Sequence, residues 1–184
     1  MWMHYFSFLQ LYFYVRKKLS CHYKFKRDKM MSNQKEIFDL ARKRAATNNL
    51  PYAGALTPQE AFQILSADNK ALLIDVRTKA ELELVGRVPN ALNVEWAFYP
   101  GMVANTQFAE QLKAELDNRG FEKNSVLVFL CRTGGRSSNA AAVAAAMGYT
   151  QAYNTLEGFE GEANAEKQRT LINGWKHAGL PWTN

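Results

Sequence analysis

The sequence predicts an α/β fold with a central parallel sheet of about five short strands and helices on both faces. Two observations carry this. The segments "ALLIDV" (71–76) and "SVLVFL" (125–130) are continuous apolar runs of strand length. Runs that do not alternate suit strands covered on both faces. Strand-like and helix-like segments also take turns along the chain, which with right-handed crossovers builds a parallel sheet.

The elements follow in order. "SNQKEIFDLARKRAAT" (32–47) reads as an amphipathic helix with Ser32 as its N-cap and Ile37, Phe38, Leu40, Ala41 and Ala45 on the apolar side. "NNLPYAGAL" (48–56) is a connection ending in a short edge strand. "TPQEAFQILS" (57–66) starts a helix with Thr57 as cap, Pro58 at the first helical position and Glu60 placed to close a capping box. After the strand at 71–76 come a helical turn from Thr78, a strand at "ALNVEW" (91–96) and a helix at "TQFAEQLKAEL" (106–116). Beyond the strand at 125–130, "SSNAAAVAAAMG" (137–148) reads as a helix capped by Ser137 or Ser138 and stopped by Gly148. "QAYNTL" (151–156) is a further short strand.

With 184 residues, 47% hydrophobic and 22% charged, the chain has room for one domain with a real core. Its net charge of +6 is not spread over that domain. Residues 1–30 hold seven Lys and Arg against Asp28 alone, which is the whole excess, so the rest of the chain balances to zero. A nucleic-acid partner is therefore not expected. The same thirty residues carry nine aromatics, and they run from an apolar stretch to a basic one, the reverse of a secretory signal. They read as an N-terminal extension that is either a mis-assigned start, with the true one at Met30 or Met31, or, less favoured, a short membrane-associated segment. The expected organisation is this extension (1–30), an N-terminal helix and connection (31–54) and a catalytic domain (55–184).

Two cysteines, Cys21 and Cys131, make no disulfide framework and give no sign of secretion, so a cytoplasmic location is expected. The histidines His4, His22 and His177 are scattered without ligand spacing, and neither a metal nor a cofactor is expected.

The chemistry concentrates in "LCRTGGRSS" (130–138). Cys131 opens the turn at the carboxyl end of a central parallel strand, immediately before a helix, where ligands of open α/β sheets bind. The helix N-terminus favours negative charge there. Gly134 and Gly135 would permit positive φ values, turning the N–H groups of the loop, Thr133 among them, inward as an anion nest. Arg132 and Arg136 add charge, and Ser137 closes the loop. Each feature favours the thiolate, the nucleophilic form of cysteine. A cysteine in a glycine turn signifies little alone; strand, thiol, paired glycines, arginines and helix together make a reactive site.

On these residues the chain resembles the rhodanese-like sulfurtransferases, specifically their single-domain members, over roughly residues 55–182. "LLIDVRTKAELELVGRVPNALNV" is similar to the family's upstream motif, with Asp75 and Arg77, Glu81, Gly86 and Pro89-x-Ala91. "LCRTGGRS" resembles the catalytic loop, and "EGFEGE" with "NGWKHAGLPW" the C-terminal segment. Arg87 stands where the family commonly has His. Asn90 replaces a common Gly, a mild change because Asn tolerates the left-handed conformation.

The resemblance implies a rhodanese-like fold and a persulfide on Cys131. Sulfane sulfur would come from thiosulfate or a similar small anion and pass to a thiol or cyanide, with Arg132 to Ser137 holding the anion and Asp75 and Arg77 in support. Arg132 matches the basic position of thiosulfate users. Asp75 is placed either to orient the loop or Arg136, or to pair with Arg77 and Glu81. Trp96, Phe98 and Tyr99 are candidate walls of the mouth or packing residues, and Trp175 and Trp182 are packing residues. A cysteine phosphatase or arsenate reductase is the alternative enzyme, but those have an arginine six positions after the cysteine, where this chain has Ser137. A non-catalytic binding module is the other alternative, and it would often lack the cysteine.

Overall fold

The computed structural model describes residues 31–184, so the expectations for residues 1–30, Cys21 included, lie outside the described residues. Helix α1 occupies 31–47. It is followed by β1 (Gly54–Leu56), α2 (Pro58–Ala67), β2 (Leu72–Asp75), α3 (Lys79–Val85), β3 (Leu92–Asn93) and the pair β4 (Ala97–Phe98) and β5 (Val103–Ala104). Then come α4 (Phe108–Asn118), β6 (Val126–Leu130), α5 (Gly135–Ala146) and β7 (Gln151–Thr155). Five strands form a parallel sheet in the order β1-β7-β6-β2-β3, with β1 on one edge as expected.

Successive strand side chains point to opposite faces, and both faces are covered. Leu72, Ile74, Leu127 and Phe129 meet Leu112 and Leu116 of α4 and Ala140, Ala141 and Ala144 of α5. Leu73, Val128 and Leu130 face the other way, toward Ile37 and Ala41 of α1, Ala61 and Ile64 of α2, and Phe159 and Trp175. The continuous apolar runs thus have their physical cause: each strand residue is buried whichever way it points.

Local chemistry sets the ends. Thr57 and Glu60 form the capping box read from the sequence, and Thr78 and Glu81 form a second one on α3. Arg44 of α1 grips the Glu60 carboxylate with two hydrogen bonds of 2.6 and 2.8 Å and donates a third to the Ala55 carbonyl. Asn90 takes φ 62°, the left-handed turn that its place in the motif required.

Several boundaries differ from the sequence reading. Met31 and Ser32 are already helical, so Ser32 is not a cap. The strand at 91–96 shrinks to Leu92–Asn93. Beyond it the Val94 and Trp96 N–H groups still donate to the carbonyls of Asp75 and Val76, at 3.2 and 3.1 Å, and Asn93 Nδ2 adds bonds to the carbonyls of Asp75 and Arg77, both at 2.9 Å. The β4–β5 hairpin was not foreseen. Its turn, Tyr99 to Met102, carries a Pro-Gly pair, a turn signal visible in the sequence. Helix α5 begins at Gly135 with Gly134 as N-cap, so Ser137 and Ser138 lie inside its first turn rather than capping it.

At the carboxyl end of β2 an ion pair is fully buried. Arg77 Nε and Nη2 donate to the Asp75 carboxylate, Nη2 also reaches the Gly86 carbonyl at 3.0 Å, and the guanidinium lies 3.9 Å from the centre of the Phe159 ring. Removing one charge of such a pair leaves the other uncompensated. Asp75→Asn should therefore cost about 3–5 kcal/mol in urea unfolding. Replacing both partners by apolar residues of similar volume should cost less than that single change.

Candidate functional site

Strand β6 ends at Leu130, which pairs with Asp75 of β2, and the next residue is Cys131. The thiol is buried, 1% exposed, beneath the turn that leads into α5. Its sulfur accepts two hydrogen bonds, from the Gly134 N–H and the Ser137 hydroxyl, both at 3.2 Å. The Ser137 Oγ is also 3.1 Å from the Gly134 carbonyl. A hydroxyl has one proton, so it serves the sulfur when that atom carries charge and the carbonyl when the thiol itself donates. The first intrahelical bond of α5 runs from the Ser138 N–H to the Gly134 carbonyl at 3.0 Å. The N–H groups of Gly135, Arg136 and Ser137 precede it and have no acceptor within the helix.

Two glycines stand where the loop and the segment after β7 press on each other. Gly134 has φ +94°, and a β-carbon on it would sit 1.9 Å from the Leu156 carbonyl oxygen. Gly158 has φ +66°, and its β-carbon would meet the Cys131 oxygen and the Arg132 carbonyl carbon at 2.6 Å. The segment after β7 presses on the loop this closely because it bonds to it. Phe159 N–H donates to the Cys131 carbonyl at 2.8 Å and Glu160 N–H to the Arg132 carbonyl at 2.9 Å. Gly135 does not take the positive φ that the sequence reading allowed it; it is an ordinary helical residue with open space where a β-carbon would stand.

The two arginines of the loop differ. Arg136 forms a two-pronged pair with Glu81 of α3, Nη1 to Oε2 at 2.8 Å and Nη2 to Oε1 at 2.6 Å. Burial would push the Glu81 carboxyl up, but the Arg136 hydrogen bonds, the bonds from Thr78 and the attraction of the guanidinium outweigh it and hold the carboxyl at about 2. Burial likewise opposes the charge on Arg136, yet Glu81, with lesser help from Cys131 and Asp75, raises it above the usual arginine value. Arg132 is exposed and its guanidinium forms no ion pair among the described residues. Thr133 is exposed beside it.

The upstream motif is therefore divided. Asp75 takes Arg77, and Glu81 takes Arg136; the two carboxylates do not share a partner. Arg132 and Arg136 line a cleft of about 380 Å³ between α3 and the β4–β5 turn, with Glu81, Leu84, Tyr99 and Met102 on its walls. Of the three aromatics at the end of β3, Tyr99 alone lines this cleft. Trp96 packs edge-on against Phe108 at 4.9 Å, and Phe98 faces a separate hollow with Glu95 and Gln111.

Sequence reasoning did not single out Glu81 as the partner of Arg136. Its capping-box spacing was readable, but the second use of the same carboxylate depends on how α3 sits beside α5. The contact of Leu156–Gly161 with the loop was also not read, although the two glycines of "EGFEG" mark a close backbone approach.

Among known proteins, residues 57–165 match the family model described as a rhodanese-like domain, more than half of the chain. The crystal structure of Rv0390 from M. tuberculosis is 41% identical, with a TM-score of 0.62, over 72% of this chain and 98% of that one. An uncharacterized protein of Rickettsia prowazekii is 34% identical over 123 residues, 67% of this chain and 91% of the relative. A counterpart in Rickettsia conorii is 32% identical over the same lengths. With a matching model over that span and a thiol loop at the end of a central strand, the chain belongs to the rhodanese-like domain family.

Proposed function

We propose that the protein is a sulfurtransferase that carries sulfane sulfur as a persulfide on Cys131, with thiosulfate or a similar anion as donor and a thiol or cyanide as acceptor. The observation that carries this reading is the pair of hydrogen bonds that converge on the sulfur from Gly134 and Ser137. Donors aimed at an atom stabilise negative charge there, and Sγ carries that charge as the thiolate before sulfur arrives and again when it departs. The thiolate attacks the outer sulfur of thiosulfate, a new S–S bond forms, and the old S–S bond breaks with its electron pair leaving on sulfite. No proton is needed and no base is required. The acceptor thiolate then attacks the outer sulfur of the persulfide, and the pair of the breaking bond returns to Sγ. Two half-reactions joined by a covalent intermediate give ping-pong kinetics. A free thiol nucleophile suits a reducing compartment, and we place the reaction in the cytoplasm on that ground.

In this reading the two arginines have separate tasks. Arg132, exposed and without an ion pair among the described residues, meets the donor anion. Arg136 is held by Glu81 and fixes the start of α5 against α3. A phosphatase reading lacks support at this point, because Arg136 has both outer nitrogens engaged and is one position too near the cysteine to grip a phosphate.

Three outcomes are expected. Thiosulfate treatment should add the mass of one sulfur atom to the wild-type protein and nothing to Cys131→Ser, whose circular dichroism should be unchanged. Retained thiosulfate:cyanide transfer in that variant would remove Cys131 from the chemistry. Arg132→Ala should slow thiosulfate loading in stopped flow by about ten- to a hundredfold, the worth of one charge-assisted hydrogen bond of roughly 1.5–3 kcal/mol. Glu81→Gln should lower stability at neutral pH. The Glu81 carboxyl lies lower in the folded chain than in the unfolded one, so its contribution is full above the unfolded value and is lost as pH falls toward about 2. The stability gap between wild type and Glu81→Gln should accordingly close between about pH 5 and pH 2 in denaturant titrations.

A further inference from the structure

The segment after β7 is bonded along both of its edges. Toward the thiol loop, Phe159 N–H donates to the Cys131 carbonyl at 2.8 Å and Glu160 N–H to the Arg132 carbonyl at 2.9 Å. Away from it, the Gly158 carbonyl accepts from the Trp175 N–H at 2.9 Å and the Phe159 carbonyl from the Lys176 N–H at 3.1 Å. There is little slack in this stack, since a β-carbon on Gly158 would meet the Cys131 oxygen and the Thr133 nitrogen at 2.6 Å. The Lys176 side chain then reaches a third element. Its ammonium donates at 2.8 Å to the carbonyl of Val85, the last residue of α3. It also lies 3.7 Å from the centre of the Trp182 ring and 5.4 Å from that of Phe159. Lysine stems ordinarily carry the ammonium out to water. Here burial disfavours the charge, Glu160 favours it and Arg77 opposes it, with the balance against the proton. A cation in such a place is held by its partners.

These contacts close a circuit around the thiol. It runs from Cys131 to Phe159, through Lys176 to the end of α3, along α3 to Glu81, and across the ion pair to Arg136 in the first turn of α5. Gly134 and Ser137, which donate to the sulfur, are the cap of that helix and a residue of the same turn. We propose that Lys176 is a positioning residue for Cys131: by fastening the Phe159 segment to α3 it fixes the sulfur relative to the Gly134 and Ser137 donors. It thereby sets the reactivity of the thiol without touching substrate. Donors stabilise charge only where their geometry is kept, and a misplacement of about 1 Å forfeits much of a catalytic contact. The proposal rests on the sulfur-transfer reading for the reaction it serves, while the circuit acts on any chemistry of the thiol.

The test compares three variants of the full chain with the wild type. Lys176→Met keeps an unbranched stem against Trp182 and loses the charge; Lys176→Arg keeps both the charge and the donors. Ile64→Val, in the core beneath α2, is a mild destabilisation away from the circuit. Alkylation by iodoacetamide, read at the Cys131 peptide by mass spectrometry, should slow in Lys176→Met by about two- to thirtyfold, the span over which residues of a contact network move a distant site. The saturating rate of thiosulfate loading in stopped flow should fall with it. The thiosulfate concentration giving half that rate should stay unchanged, because Arg132 still meets the donor. Lys176→Arg should recover most of both losses, and Ile64→Val should match the wild type. Wild-type alkylation in Lys176→Met, or equal slowing in Ile64→Val, would overturn the positioning role and leave the sulfur chemistry standing. Slowed alkylation in Lys176→Met, recovered by Lys176→Arg, in a protein that never gains sulfur from thiosulfate would sustain the positioning and remove the sulfurtransferase reading.

Discussion

The buried pair between Asp75 and Arg77 is the constraint from which the site is arranged. Asp75 ends β2 in register with Leu130, so the carboxylate is fixed one residue away from Cys131 on the neighbouring strand. From there Arg77 reaches two further segments, the carbonyl of Gly86 at the end of α3 and the ring of Phe159 after β7. Phe159 in turn donates its N–H to the Cys131 carbonyl. One guanidinium thus joins strand, helix end and C-terminal segment at the point where the thiol loop begins. Burying an ion pair rarely gains net stability over an apolar pair of equal volume. What the pair supplies here is direction: an apolar contact would permit Phe159 to slide, whereas a forked hydrogen bond and a ring face do not.

The C-terminal segment extends the same logic. Lys176 lies over the Trp182 ring at 3.7 Å and donates to the Val85 carbonyl, and burial lowers its affinity for a proton despite the nearby Glu160. Trp175 is buried and donates its indole N–H to the Pro181 carbonyl at 2.9 Å. These cations and rings strap the chain end across α3. The helix that carries Glu81 and Leu84 is thereby held from both sides, by the strap at its end and by Arg136 near its start.

How much of this was legible in the sequence follows from what each feature depends on. The sheet was legible because two-sided burial writes itself as an unbroken apolar run, and the start of α2 because a capping box is local chemistry; at α3 the helical turn from Thr78 was read without its box. The loop was legible because its parts are contiguous. The start of α5 was misread for a physical reason. Serines are good caps, but the backbone at Gly134 is crowded by the Leu156 carbonyl, so glycine must turn there and the serines are drawn into the helix, Ser137 toward the sulfur and Ser138 toward the Tyr52 hydroxyl. The division of the upstream motif was not readable either. Asp75, Arg77 and Glu81 lie within seven residues, and nothing in their spacing says that Glu81 will turn to an arginine fifty-five positions away.

The alanines of α5 complete the arrangement. Ala140, Ala141 and Ala144 are fully buried against β6 and β7, and side chains that end at the β-carbon let a helix lie close on a sheet. Closeness at that face sets the height of the helix start above the strand end. With a bulkier residue at Ala140 or Ala144 the core would have to give, at roughly 1–3 kcal/mol for an overpacked site. The helix would lift as it gave. The Gly134 N–H and the Ser137 hydroxyl stand 3.2 Å from the sulfur, a close contact for so large an atom, and an ångström of lift would take both away. The small residues that seem the least chemical part of the chain therefore set the distance on which the thiol's hydrogen bonds depend.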